Sequence, residues 1–268
     1  TNFASLLEEL DRVEDAKHHY QRALDIDPGY AKAHHGYAVL RKESEPKLPG
    51  WTNEVEQHFQ QAIDSDPNDA IIHTNFASLL EELDRVEDAE HHYQRALDID
   101  PGYAKAHHDY AVLLKELERT DEAEHHLQQA LDSDPDYAAA HHSYAVLLKE
   151  LERTDEAEHH LQQALDSDPD NAIIHTNFAS LLEELDRVKD AKHHYQQALD
   201  SDPDYAAAHN DYALLLKELE RTDEAEHHFQ RAIDIDPDNA IFHTNFASLL
   251  EELDRVEDAK HHYQRALD

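Results

Sequence analysis

Asp-Pro dipeptides recur along this chain at a fixed interval, and that interval constrains the fold more than any other feature. The prolines are Pro28, Pro67, Pro101, Pro135, Pro169, Pro203 and Pro237, so the first gap is 39 residues and each of the next five is 34. A period of roughly 20–50 residues marks an array of small supersecondary units, none of which buries its apolar face alone. Inside each period the apolar residues fall at helical spacing. Tyr110, Leu113, Leu114 and Leu117 give a first helix one stripe to bury, and Leu127, Ala130 and Leu131 do the same for a second. The small Ala111 and Ala123 permit close approach of the two helices, and enlarging Ala123 to Leu is expected to overpack that contact by ~1–3 kcal/mol. Asp134-Pro135-Asp136 reads as an N-cap, a proline in the first turn and an acid at the positive end of the dipole. Thr120-Asp121-Glu122 opens the second helix, and Asp84-x-x-Glu87 reads as a variant capping box.

The residues that recur with this period resemble the tetratricopeptide repeat. In the unit Ala104 to Tyr137, His107 stands where the family usually has Trp, and Tyr110-Ala111 stand for its Leu-Gly pair. Leu114 fills the next large position, and Ala123, Leu127, Ala130 and Pro135 match the Ala-x3-Phe-x2-Ala-x4-Pro run. The frame repeats at Ala145, Ala157, Ala164 and Pro169, and at Ala179, Ala191, Ala198 and Pro203, so the resemblance covers essentially the whole chain. It implies an all-α fold, an α-solenoid of antiparallel helix pairs wound into a right-handed superhelix, with the first helix of each unit (helix A) lining a concave groove. The expected organisation is a single continuous array over residues 1–268, with a truncated unit at each end.

The units come in two types. One carries Thr-Asn-Phe-Ala-Ser-Leu-Leu-Glu-Glu-Leu, beginning at Thr1, Thr74, Thr176 and Thr244; the other carries a Tyr-Ala helix ending in Lys-Glu-Leu-Glu-Arg-Thr, beginning at Tyr110, Tyr144 and Tyr212. An aberrant stretch near 43–51 accounts for the longer first gap and is placed between two helices, with Trp51-Thr52 opening the second and Trp51 as the insertion's contact residue. Residues 244–268 are identical to residues 1–25. The offset of 243 equals seven 34-residue units plus the five-residue insertion, so the text returns to its start after one block. Recent duplication, a designed consensus array, or a window on a long self-similar rod would each leave that signature.

Composition limits the chemistry. Against 23 Lys and Arg stand 61 Asp and Glu, a formal charge of −38, which repels nucleic-acid phosphates and anionic membrane surfaces. There is no cysteine, hence no disulfide, thiolate metal site or Cys nucleophile, and no apolar run long enough for membrane insertion. The compartment stays open: cell-surface or extracellular if the array builds a fibre, cytoplasmic otherwise.

The exposed helix-A positions are the candidate partner-binding residues. They are Ile71, Thr74, Ser78, Glu81 and Glu82 in one type, and Lys105, His108, Val112, Lys115 and Glu116 in the other, with His142 and Lys149 in the next unit. Family members that bind chaperone tails hold a terminal carboxylate with Lys and Arg beside Asn. Asn75 and Asn177 match the Asn, but the basic set is not matched, so the carboxylate-rich groove suits basic or polar ligands. The chain's 25 histidines fall mostly in adjacent pairs such as His91-His92 and His125-His126, whose side chains diverge by ~100° and are ill-placed to share a metal. Each of these lies four residues after an acid, as in Asp121/His125 and Glu122/His126, an arrangement expected to favour the imidazolium. Asp132, Asp134 and Asp136, and again Asp166, Asp168 and Asp170, resemble the opening of a calcium loop but lack its Gly and distal Glu. They are the weak candidates for Ca2+. No concave pocket with convergent catalytic groups is legible, so the chain reads as no enzyme. The expected function is a scaffold for protein partners, or self-association into a longer superhelix or fibre.

Overall fold

In a computed structural model, residues 2–10, 12–44 and 50–267 are described. Residues 45–49, most of the expected insertion, lie outside the described residues. The chain divides into two compact units, Thr1–Pro135 and Asp136–Asp268. Among the described residues, the first unit holds α1 (Asn2–Glu9), α2 (Val13–Ile26), α3 (Ala31–Ser44), α4 (Trp51–Ser65), α5 (Ala70–Glu82), α6 (Val86–Ile99), α7 (Ala104–Glu116) and α8 (Thr120–Ser133). The second holds α9 (Ala138–Glu150), α10 (Thr154–Ser167), α11 (Ala172–Glu184), α12 (Val188–Ser201), α13 (Ala206–Glu218), α14 (Thr222–Ile235), α15 (Ala240–Glu252) and α16 (Val256–Arg265). Odd-numbered helices are helix A and even-numbered ones helix B.

Within each compact unit a helix A packs most extensively on the helix B that follows it, and less on the helices of the neighbouring repeats. The alanines make this possible. Ala89 and Ala123 in the first unit, and Ala157, Ala191 and Ala225 in the second, are all 0% exposed, so their helices approach with no side chain in the way. Between repeats the filler is aromatic. Phe59 stacks on Phe76 (5.4 Å) and Tyr93 on Tyr110 (5.5 Å); in the second unit Tyr195 stacks on Tyr212 (5.5 Å) and Phe229 on Phe246 (5.9 Å). Burial of one such large side chain stabilises by ~1.5–3 kcal/mol, which comes from a neighbouring repeat rather than from the helix itself.

Trp51 opens α4, as the sequence predicts. It is buried at 3% exposure in the first turn of α4, and its indole N–H donates to the Arg41 carbonyl (2.8 Å), as a buried indole requires. The helix ends differ from the sequence expectation. Asp134 is the C-cap of α8, not an N-cap, because its amide still bonds back to the Ala130 carbonyl (2.9 Å). Asp202 likewise closes α12. The N-caps lie two residues after the proline: Asp69, Asn171 and Asn239 accept from the first-turn amides of α5, α11 and α15. Asp84 opens no capping box. It has φ +57° in the A–B turn, as do Glu118 (+58°) and, in the second unit, Glu152, Asp186, Glu220 and Asp254 (57–60°). The left-handed residue lets Arg85 N–H reach the Leu80 carbonyl (2.9 Å) and closes the helix.

Candidate functional site on the helix-A faces

The two repeat types differ at one position that decides how neighbouring A helices meet. Where Thr-Asn-Phe helices carry Glu81 and Glu183, Tyr-Ala helices carry Lys42, Lys149 and Lys217. Each of these lysines reaches forward to the following Thr-Asn-Phe helix. Lys42 Nζ donates to Ser78 Oγ (2.8 Å) and pairs with Glu82 (2.9 Å). In the second unit Lys149 Nζ does so with Ser180 (2.9 Å) and Glu184 (2.9 Å), and Lys217 with Ser248 (2.9 Å) and Glu252 (2.8 Å). Asn75 Nδ2 adds a bond to His35 Nε2 (2.8 Å), and Asn177 bonds His142 in the same way. These contacts occupy Ser78, His142 and Lys149, three of the expected partner-binding residues.

In the opposite order, carboxylates face carboxylates. Burial, with Asp109 and Glu116 of α7 nearby, pushes Glu81 up to about 7, despite the Tyr93 hydroxyl and Lys42. Burial likewise raises Glu183, beside Glu218 and Asp211 of α13, even though it accepts from Tyr195 Oη at 2.5 Å. Asp109 differs. Burial pushes it up, but bonds from His108 Nδ1–H (2.9 Å) and Lys105 outweigh that and hold it below the usual carboxylate range. At the start of the first unit, Gly36 occupies the place of Asp109. A Cβ there would stand 2.5 Å from the Tyr20 ring, so that junction is closed to an aspartate.

The expected site residues therefore separate. Ile71 (47% exposed) and Val112 (37%) present apolar surface to solvent, with Lys105 exposed beside them. His108, Lys115 and Glu81 are half-buried. Thr74 is not exposed. It is fully buried, its hydroxyl donating to the Ala70 carbonyl (2.9 Å), whereas the equivalent Thr244, with no helix A after it among the described residues, is exposed. Grooves open on this face in both units. One of ≈ 370 Å³ is lined by Lys32, Val39, Ile71 and Asn75 among others; in the second unit one of the same size is lined by Val146, Lys149, Glu150, Asn177 and Glu184.

No three His, Asp or Glu side chains among the described residues converge to hold a metal. The aspartate runs are satisfied locally: Asp132 accepts from Gln128 (3.0 Å), Asp166 from Gln162 (2.9 Å), and Asp168 from Asn171 (2.8 Å). His126 is also not the imidazolium that Glu122 suggested, since burial and the facing His107 bring it down to about 4. Sequence reasoning missed Asp109 and Lys42 as junction residues, although the Glu81/Lys115 exchange at one repeat position was their signal. No helix among the described residues is long and apolar enough to cross a membrane.

Tetratricopeptide repeat family models match residues 87–147, 115–182 and 216–268, with further repeat models on 176–240, 58–91 and 1–30. The chain belongs to the tetratricopeptide repeat family. No curated protein matches it in sequence. Among solved structures it is similar to YrrB, described as a tetratricopeptide protein with an unusual peptide-binding site. That match has 25% identity and TM-score 0.52 over 69% of this chain and 95% of that one. PilF of Pseudomonas aeruginosa matches at 18% identity and TM-score 0.69, over 84% of this chain and 98% of its own. Cut9 with Hcn1, from the anaphase-promoting complex, matches at 16% identity and TM-score 0.74 over 98% of this chain and 51% of that one. The latter two likenesses speak for the fold alone. This tetratricopeptide chain is a repeat protein of a kind that mediates protein interactions.

Proposed function

We propose that the chain is a non-catalytic scaffold whose helix-A faces hold an extended polypeptide carrying basic side chains. The observation that carries this reading is the exposure of Ile71 and Val112 on the helix-A face beside the half-buried carboxylates Glu81 and Asp109. A small apolar contact fixes the peptide backbone, and carboxylates in a partly desolvated setting favour Lys or Arg over neutral side chains. The peptide-binding site named for YrrB supports the choice of a peptide ligand. Titration calorimetry against displayed decapeptides of opposite charge tests it. Cationic peptides should bind, weaken as salt rises, and weaken by about tenfold with Val112→Ser. Selection of anionic peptides, or affinity indifferent to Val112→Ser and Ile71→Ser together, would overturn it.

A second reading rests on a different observation, the identity of residues 244–268 with residues 1–25. A block that restates itself suits a long rod built of the same units, with self-association as its function. Negative-stain imaging of native material decides between them: discrete short rods would sink the fibre reading.

A further inference from the structure

Seven histidines of helix A, among the described residues, meet seven of helix B with their Nδ1 atoms 2.8–2.9 Å apart. The pairs are His34–His58, His73–His92 and His107–His126 in the first unit, and His141–His160, His175–His194, His209–His228 and His243–His262 in the second. The helix-A member is buried each time, at 4–7% exposure. In six of the seven its other nitrogen meets a proline carbonyl, as His73 Nε2 does Pro67 (3.3 Å), His107 Pro101 (3.1 Å), His175 Pro169 (3.0 Å) and His209 Pro203 (3.1 Å).

That carbonyl fixes both tautomers. A carbonyl only accepts, so the helix-A ring carries its proton on Nε2 and turns a bare Nδ1 to its partner. The helix-B ring must then carry its proton on Nδ1 and leave Nε2 bare. One further proton fits at that Nε2 and leaves the bond intact. A second, at the accepting Nδ1, sets N–H against N–H inside the contact between the two helices. Aromatic rings close the pairs in: Phe76 lies 4.7 Å from His92, Tyr110 4.7 Å from His126, and Phe178 4.4 Å from His194.

We infer that these imidazole pairs are acid-sensitive clasps that hold helix A to helix B at neutral pH and release it as protons accumulate on the array. The groups that face the pairs set the range. For His73–His92 they are Asp88, His91 and Arg95 on α6, Arg85 at its head and Asp69 before α5, with Glu56 of α4 across a crevice that His92 lines. α7 meets α6 through Tyr93, which points about 100° away from His92. For His175–His194 they are His193 and Asp190 on α12, Arg187 at its head, and Asp170 before α11. The acids pull toward the imidazolium, but burial wins: with the facing imidazole added, His92 and His194 fall to about 4, and burial also lowers His73 and His175.

The sign follows. A histidine whose folded pKa lies below its ordinary ~6.5 stabilises the fold fully above pH ~6.5, and that stability is lost as pH falls from there toward 4. Each proton taken up on unfolding shifts the unfolding equilibrium by about tenfold per pH unit in that window. The repetition turns small steps into a large one, since each repeat leans on its neighbours.

The test is urea unfolding of the whole chain at pH steps from 7.5 to 4, with ¹⁵N imidazole spectra recorded alongside. The expected spectra at pH 7 show both Nε2–H and Nδ1–H rings among the paired histidines, with His92, His126, His160, His194 and His228 titrating at about 4. Stability should fall across the same window. His73→Gln and His175→Gln keep one donor for the proline carbonyl and one acceptor for the partner but do not titrate, so each should flatten the pH dependence of its own unit. Paired histidines titrating at 6.5 or above, or variants with unaltered pH dependence, would overturn the inference. If the glutamine variants fail to fold, the imidazole midpoints of the native chain decide alone.

Discussion

Two junctions of the same kind, one in each compact unit, hold a buried aspartate in opposite ways. Between α5 and α7, Asp109 takes bonds from Lys105 and His108 and titrates below the usual carboxylate range. Between α11 and α13, the equivalent Asp211 faces Ala207 where the first has Lys105 and Asn210 where it has His108. Burial raises it, and only the Asn210 amide (2.9 Å) and the more distant Lys149 hold it down. The partner glutamates, Glu81 and Glu183, are raised at both junctions. The junction's backbone is thus set by the repeat, whereas its charge state is set by two residues in one turn of helix A.

Stripping the first junction of its cations should have the largest effect. Lys105→Ala with His108→Ala leaves a carboxylate unpaired beside Glu81 and Glu116, and is expected to destabilise the first unit by ~2–3 kcal/mol at pH 7. Hydrogen exchange of the α7 amides reports this locally. Asn210→Ala, its counterpart, should lose only ~1 kcal/mol from the second unit. Equal losses would mean that the cations do not matter.

Neutralising the aspartates should act with opposite signs. Asp211 is raised, so its charge opposes folding above its folded pKa, and that cost disappears as pH falls through the usual carboxylate range. Asp211→Asn should stabilise by ~0.5–1 kcal/mol at pH 7 and be neutral at pH 4. Asp109 is lowered, so it contributes stability above ~4 that vanishes as pH falls through its folded value. Asp109→Asn should therefore destabilise at pH 7, by ~1–2 kcal/mol. A urea series at the two pH values checks both signs. Tyr195→Phe sharpens the shared part: removal of its bond to Glu183 should cost ~1 kcal/mol and raise the Glu183 midpoint further.

How much of this was legible depends on the range of the interaction. The 34-residue spacing of Pro101, Pro135 and Pro169 was enough for helix pairs, and the buried stripe of Tyr110, Leu113 and Leu114 lies where the spacing put it. Thr74 was misread as surface because helical periodicity orients a residue against its own helix pair and is silent about the next helix A. Asp84 and Asp134 were misread because an acid beside a turn serves either end of a helix, and only φ distinguishes them. The histidine pairs escaped through attention to adjacent residues. Their signal was a separation of 19 in six of the seven pairs, as from His73 to His92 and from His175 to His194, lengthened to 24 between His34 and His58 by the insertion.

The smallest prediction is the control on the whole comparison. Glu118 and Glu220 follow α7 and α13 in the A–B turns, at φ +58° and +57°, where a side chain is strained and glycine is not. Their turn bonds match: Arg119 N–H to Leu114 O and Arg221 N–H to Leu216 O are each 2.9 Å. Glu118→Gly and Glu220→Gly should each stabilise by ~0.5–1 kcal/mol, relief of the left-handed strain exceeding the added freedom of the unfolded chain. Unlike the aspartate substitutions, the two should agree with each other and be flat with pH, because neither depends on the charges of its junction. Unequal urea midpoints would show that the two turns are not equivalent, and the contrast between Asp109 and Asp211 would then need a backbone cause as well as an electrostatic one.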